Sequence, residues 1–376
     1  MIYLLIIFII ILLIYKKEFY NTKFQYQRFP ILLYLLFSLL AGLRFEIGDD
    51  TLHYYSFFKE LFTLDNINKS FIEDHRFQPL SIYFISLCKT INSNFVFLQL
   101  VHAFLINYIL FSFIRNNSKY VYLSLLIYFI TNYLEFNTEI LRESIAVCIT
   151  LLSYNALINN KKIKYVLFSA LAICFHISSV IVLIFPLLIN VKYSHLSFTV
   201  LSIVSAILPI LYLQFPYFDY LVSLFLKDSE YLASYAIQEV NEGFNFNFYV
   251  GHLIHYLVIP LGFVFVIRKY QFKSSKFLGF IYAYIFLQML GMYSYGFYRF
   301  ANYFAPFIWV LYADAIHVIL RKVNFSFRFV LLLLIISILL YLSQAKLLSP
   351  DNIGDGIYVY ERYFPYKSIL FNGNYK

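Results

Sequence analysis

The chain has 376 residues, of which 61% are hydrophobic and 13% charged, and its mean hydropathy is +0.72. Ordinary soluble domains are roughly half apolar, so the composition excludes a soluble enzyme and predicts an all-α polytopic membrane protein, with apolar runs parted by short polar loops. The net charge of +9 could suit nucleic acid, but its basic residues fall in short loops between those runs, where membrane topology accounts for them better.

The first run, 2–15, lacks a basic start and a small-residue cleavage site, and Lys16 and Lys17 follow it. It reads as a retained helix rather than a signal peptide. A second span covers 30–43 and leads into an outer loop, 44–78, that carries Arg44, Gly48, Asp49, Asp50 and Tyr54. Residues 79–91 are too short for a span of about twenty residues and read as a re-entrant or interfacial helix. Spans follow at 95–114, 119–134 and 142–158, the last opened by Arg142. Residues 163–190 must bend back near His176 for the later loops to keep their side, which gives half-segments 163–176 and 178–190. Spans at 196–214, 249–267, 277–293, 299–320 and 328–345 complete about twelve, in a single integral membrane domain covering 1–376. Arg299 begins the span 299–320, and the remaining outer elements are the loop 216–248 and the tail 346–376.

The charges support this arrangement. Six short loops (16–28, 115–119, 159–164, 191–195, 268–276 and 321–328) hold 17 of the 29 basic residues and are placed inside. Of the 20 acidic residues, 18 then fall outside, the exceptions being Glu18 and Asp314. The many Tyr and Phe residues are expected in interfacial belts at span ends, with stacking on sugar rings as a second use for those in outer loops. Cys88, Cys148 and Cys174 have no metal-ligand spacing and read as packing residues.

An ionisable side chain at membrane depth costs a few kcal/mol on insertion scales, so it usually faces a protein interior or a watery cavity. Arg142 and His176 lie in the apolar runs 139–158 and 165–189, and Arg44, Asp49, Asp50 and Arg299 join them on the outer side. A polar cluster on one side suits an enzyme better than a carrier, whose site lies near the midplane. Each residue also has an ordinary structural reading. Arg142 can pair with Glu139 or Glu143, and His176 can be a core histidine at a helix break. Arg44 and Arg299 can be snorkelling anchors, and Asp49 or Asp50 can cap the helix that opens at Thr51. His252 and His255 have i, i+3 spacing without a third ligand. Asp314 is placed to pair locally with Arg321.

Taken together, these groups suit one reaction class. Guanidinium groups bind phosphate oxygens in bidentate fashion and stay charged, while a carboxylate or imidazole can take the proton of an attacking hydroxyl. The sequence has no P-loop, dinucleotide fingerprint, nucleophile elbow or metal motif. The combination points to transfer from a polyprenyl-(pyro)phosphate sugar.

Four short motifs, in order, resemble the EpsG family of Wzy-like polysaccharide polymerases, multispan glycosyltransferases with lipid-linked donors. The family's first-loop Arg and G-x-D-x-x-x-Y pattern falls on Arg44, Gly48, Asp50 and Tyr54, which favours Asp50 over Asp49. Its R-Q-x-x-A element falls on Arg142, Glu143 and Ala146, with Glu in place of Gln. Its F-H-x-S element is Phe175, His176 and Ser178, and a late R-x-x-x-Y-F is Arg299, Tyr303 and Phe304. The glutamate-led E-x-G-F element has no clear counterpart in residues 74–84.

This resemblance implies a GT-C-like fold and a polymerase of O-antigen, capsule or exopolysaccharide. The enzyme would sit in the bacterial inner membrane, with its site facing the periplasm or cell exterior. The growing glycan on undecaprenyl pyrophosphate is the donor, and the non-reducing-end hydroxyl of a lipid-linked repeat unit attacks its anomeric carbon. Arg142 and Arg299, with Arg44 as a third candidate, hold the pyrophosphate. Asp50 or His176 is the general base and the other orients it, while Tyr54 and Tyr303 are candidate sugar contacts. No metal, cofactor or nucleotide is expected. The partners implied are lipid-linked glycans, membrane lipid and a chain-length regulator, with no nucleic acid. A single-sugar glycosyltransferase with a polyprenyl-phosphate sugar donor would use the same first-loop carboxylate but make no length ladder. A flippase would need a polar path open to both sides, and inner-half charges are few. A ligase would carry a larger late outer loop than 216–248, and an acyltransferase would set His and Asp close together.

Overall fold

A computed structural model describes residues 2–19, 29–48, 50–67, 77–192, 194–214, 246–270, 276–292, 295–344, 352–354 and 359–372. Asp49, most of the loop 216–248, and parts of the tail 346–376 and of the inner loops 16–28 and 268–276 lie outside the described residues. Helix occupies the apolar runs, and a small antiparallel strand pair, Asn352–Gly354 with Val359–Glu361, lies in the tail. Among the described residues, Phe95–Asn117, Leu141–Ile158 and Phe246–Lys269 are helices long and apolar enough to cross a membrane. Gly296–Asn302 and Ala305–Arg321, bent by 58° at a short break, make a fourth if taken as one span. Shorter apolar helices include Ile31–Gly42, Pro79–Ile91, Val121–Thr131 and Leu278–Leu290.

The chain forms two compact units, residues 1–180 with 323–376, and residues 181–322. In the first, the helix Leu141–Ile158 turns back on Lys162–Phe175 and also packs against Phe95–Asn117, which in turn lies along Ile31–Gly42. The turn of this hairpin has a local chemical cause. Asn160 takes the left-handed conformation (φ 56°), Lys161 N–H bonds the Ala156 carbonyl at 2.9 Å, and Asn160 N–H bonds that of Leu157 at 3.0 Å. That pattern closes a helix C-terminus with an asparagine where glycine is usual. Ser153 and Ser169 hydroxyls meet at 2.8 Å between the two helices and fix their register.

Aromatic side chains build this core as well as its rim. Phe37 packs on Phe111, Phe129 and Tyr133 with ring centroids 4.9 to 5.3 Å apart. The acidic exception Glu18 has a structural cause. Buried at 5% exposure, its carboxylate accepts the backbone N–H groups of Tyr122 (2.7 Å) and Leu123 (3.2 Å). It thereby satisfies the open donors at the start of the helix Val121–Thr131, where a negative charge is favoured.

In the second unit, His195–Gln214 packs on Leu278–Leu290, and Ile259–Lys269 on Ala305–Arg321. Gly279 is required by close approach, since a Cβ there would collide with the Leu188 carbonyl.

Three expectations need correction. The half-segment 178–190 is not an α-helix throughout, because Ile177–Ile184 winds as a 3-10 helix before the short α-turn Phe185–Leu188. The span expected at 299–320 is not one straight helix: Arg299 rides on the helix Tyr295–Asn302, and the chain bends by 58° before Ala305–Arg321. Cys174 is exposed on its helix rather than packed inside, unlike Cys88 and Cys148.

Candidate functional site

Arg142 is the second residue of the helix Leu141–Ile158, just after a π-helical turn, Glu135–Glu139. The wide turn is closed by a bond from Ile140 N–H to the Glu135 carbonyl (3.1 Å) and anchored from inside by buried amides. Asn137 donates to the Tyr133 carbonyl at 2.8 Å and receives Asn107 Nδ2 at 3.0 Å, while Tyr128 donates to Asn107 at 2.9 Å. From the other flank, His102 contacts the Leu141 carbonyl at 3.0 Å and Ser144 Oγ at 2.9 Å through Nε2. A carbonyl can only accept, so Nε2 carries the hydrogen. The backbone that presents Arg142 is therefore pinned on both sides.

The half-buried guanidinium is held by three neighbours. Its Nε donates to the Tyr54 hydroxyl at 3.2 Å and Nη1 to Gln78 Oε1 at 3.1 Å, and its carbon lies 3.7 Å from the Phe77 ring centre. All three neighbours are neutral. The alternative of pairing with Glu139 is not what the structure shows, because Glu139 is bound through both oxygens by Arg362, at 2.6 and 2.7 Å. Tyr54 is buried, and desolvation raises its hydroxyl pKa, with the Arg142 charge pulling against it and the Asp50 charge reinforcing it. Tyr54 therefore stays protonated as it accepts from Arg142.

Asp50 immediately precedes the helix Thr51–Glu60, and its carbonyl accepts Tyr54 N–H at 2.9 Å. One cap candidate, Asp49, lies outside the described residues. The other, Asp50, occupies the N-cap position, but its carboxylate makes no capping hydrogen bond. The loop before it depends on Gly48, whose φ of +97° favours glycine and whose added Cβ would lie 2.7 Å from Thr138. Gly48→Ala is expected to cost about 1–3 kcal/mol in backbone strain alone. It should lower both membrane abundance and the unfolding temperature in detergent. Gly251→Ala, with nothing within 4 Å, is the control expected to leave both unchanged.

Arg44 is 1% exposed, so it is not a snorkelling anchor, and its Nη1 donates to the Ala41 carbonyl at 2.7 Å. Its backbone bridges to Ser368, and bonds from Phe45 N–H to the Lys367 carbonyl (3.1 Å) and from Gly48 N–H to the Arg362 carbonyl (2.8 Å) continue the seam. The tail segment 362–369 thus lines the base of the first loop.

His176 lies where the helix Lys162–Phe175 ends, in extended conformation (φ −156°, ψ 127°). It is 5% exposed, and its Nδ1 is 2.7 Å from Ser178 Oγ. Counting from the Ser153–Ser169 contact at 1.5 Å per residue, Arg142 lies about 16 Å and His176 about 10 Å toward the same end of the hairpin. Phe175 also meets Phe84 edge-on at 6.1 Å, on the helix Pro79–Ile91 that follows Gln78. Asp50, Tyr54, Arg142 and His176 therefore share one end of the first unit. Arg299 and Tyr303 belong to the second unit, the former on its short helix and the latter fully buried. His252, also in the second unit, donates to the Gln288 carbonyl at 2.7 Å.

Sequence reasoning missed Phe77, Gln78, His102 and the Glu139–Arg362 pair. Phe77 and Gln78 lie in the stretch 74–84, which has no clear E-x-G-F element. No curated protein and no solved structure matches the chain. The family model described as EpsG matches residues 27–368, nearly the whole chain and every site residue discussed, and the chain belongs to the EpsG family.

Proposed function

We infer that this protein is a polymerase of surface polysaccharide, acting within a membrane of about twelve spans with its site on the outer face. The observation that carries this reading is the Arg142 guanidinium, fixed at a helix N-terminus by Tyr54, Gln78 and Phe77. Two of its five N–H donors are engaged by these neighbours, which leaves a fork for phosphate oxygens. The helix N-terminus adds to the positive field. Family membership supports polysaccharide biosynthesis at a membrane.

In the proposed reaction the non-reducing-end hydroxyl of a lipid-linked repeat unit attacks the anomeric carbon of the growing glycan. The bond from that carbon to the pyrophosphate oxygen breaks, and undecaprenyl pyrophosphate departs with the electron pair. Asp50 takes the hydroxyl proton, favoured over His176 because its charge acts on Tyr54, which accepts from Arg142. His176 orients the acceptor or the carboxylate from the same end of the hairpin. Arg142 stabilises the charge growing on the leaving group. Arg44, buried at the base of the loop, holds the segment that carries Asp50. Tyr54, which accepts from Arg142, is the candidate sugar contact of this unit.

The test is a surface-glycan gel from a strain lacking the gene, with and without complementation. Long chains are expected to disappear and leave a single capped repeat unit. A full ladder in a strain with no second polymerase would defeat the polymerase reading and turn attention to single-sugar transfer.

A further inference from the structure

We propose that Arg362 is a positioning residue: by occupying Glu139 it keeps the charge of Arg142 available to a diphosphate. The inference rests on the pyrophosphate reading of Arg142 above. Two carboxylates are close to Arg142 along the chain. Glu143 is adjacent on the helix that carries Arg142, and adjacent helix residues do not face one another. Glu139 instead ends the preceding turn, and three residues of chain span at most about 10 Å, within the combined reach of the two side chains. Glu139, three residues earlier, is therefore the natural competitor for the guanidinium.

The structure diverts it. Arg362 Nε donates to one Glu139 oxygen at 2.6 Å and Nη2 to the other at 2.7 Å, the planar fork that matches a carboxylate. The side chains are 23% and 9% exposed, so solvent screens the pair weakly. Arg362 is itself held in place. Its carbonyl accepts Gly48 N–H at 2.8 Å, the next residue's carbonyl accepts the Tyr3 hydroxyl at 3.1 Å, and Tyr366 donates to the Leu40 carbonyl at 2.9 Å. One residue thus joins the loop that leads to Asp50 with the turn that leads to Arg142. Without its guanidinium, a nearly buried carboxylate would have Arg142 as a cation three residues further along the chain. Capture would neutralise the charge that the diphosphate needs.

The experiment measures binding of undecaprenyl pyrophosphate in detergent micelles to the purified full-length protein, with the unfolding temperature recorded for every variant. Arg362→Ala is expected to weaken binding about tenfold or more, the scale of breaking a shielded charge pair beside a site. Adding Glu139→Gln to that variant is expected to restore binding to within about twofold of wild type, because the competitor is gone. A purely structural role for the pair would track the unfolding temperature instead. A folded double variant that binds as weakly as Arg362→Ala would overturn the proposal, as would an Arg362→Ala protein that binds like wild type. Should Arg362→Ala not accumulate, Arg362→Lys replaces it, since an ammonium cannot span both oxygens. It is expected to weaken binding about threefold, reversed by Glu139→Gln, and no weakening would count against the idea. Arg142→Ala separates the two levels: if it binds as wild type does, the pyrophosphate reading itself fails, whatever residues 139 and 362 do.

Discussion

Replacing Arg142 by lysine is expected to slow polymerisation on the order of 10²- to 10³-fold, the cost of removing one preorganised donor group aimed at developing charge. The charge survives this change, so a simple electrostatic account would predict little effect. The geometry predicts more. The guanidinium lies over the Phe77 ring while it donates to Tyr54 through Nε and to Gln78 through Nη1, and its remaining N–H groups are aimed as a consequence. An ammonium has three donors on a flexible stem and no plane to stack. It cannot keep these neighbours and still present a fork. Membrane abundance is expected to hold, because the lost partners are neutral and Arg142 is only half-buried. Initial rates with purified protein and lipid-linked repeat units would check this, alongside the gel ladder of a complemented strain. A lysine variant within threefold of wild type at matched protein would remove Arg142 from the reacting centre.

Much of this arrangement is legible in the sequence, because it is local. The first-loop pattern of Arg44, Gly48, Asp50 and Tyr54 encodes a glycine-dependent turn followed by a helix. Keeping the later basic loops on one side requires a break near His176, and the helix ends at that residue. What escaped the sequence is non-local or masked by uniform hydrophobicity. Nothing near Glu139 indicates that its partner lies 223 residues later in the tail. Glu18 looked like a topological exception until the start of a distant helix was found against it. The apolar run through 299–320 hides the break at Tyr303–Phe304, although Pro306 in the first turn of the next helix is the residue type that marks a helix start. Gln78 was hidden for a different reason: as a neutral residue ahead of a proline it carries no chemical signature until Arg142 is seen to donate to it.

Asp50→Asn is expected to lower turnover by about 10²- to 10⁴-fold, the usual contribution of a general base, while leaving the affinity for undecaprenyl pyrophosphate close to wild type. Asparagine has nearly the same shape, and the aspartate makes no capping bond that the fold would lose. The helix Thr51–Glu60 and its contacts with Arg142 should therefore persist, and the effect should fall on turnover rather than binding. His176→Asn provides the contrast. Its ring nitrogen is engaged with Ser178 at 2.7 Å inside a helix break, a setting suited to holding a neighbour in place. An expected loss nearer tenfold follows if it only orients. The opposite ranking, with His176→Asn the more damaging at equal abundance and stability, would exchange the roles of the two residues. It would leave the arginine chemistry intact, since Arg142 is held by residues from the Asp50 side of the cluster and not by the histidine.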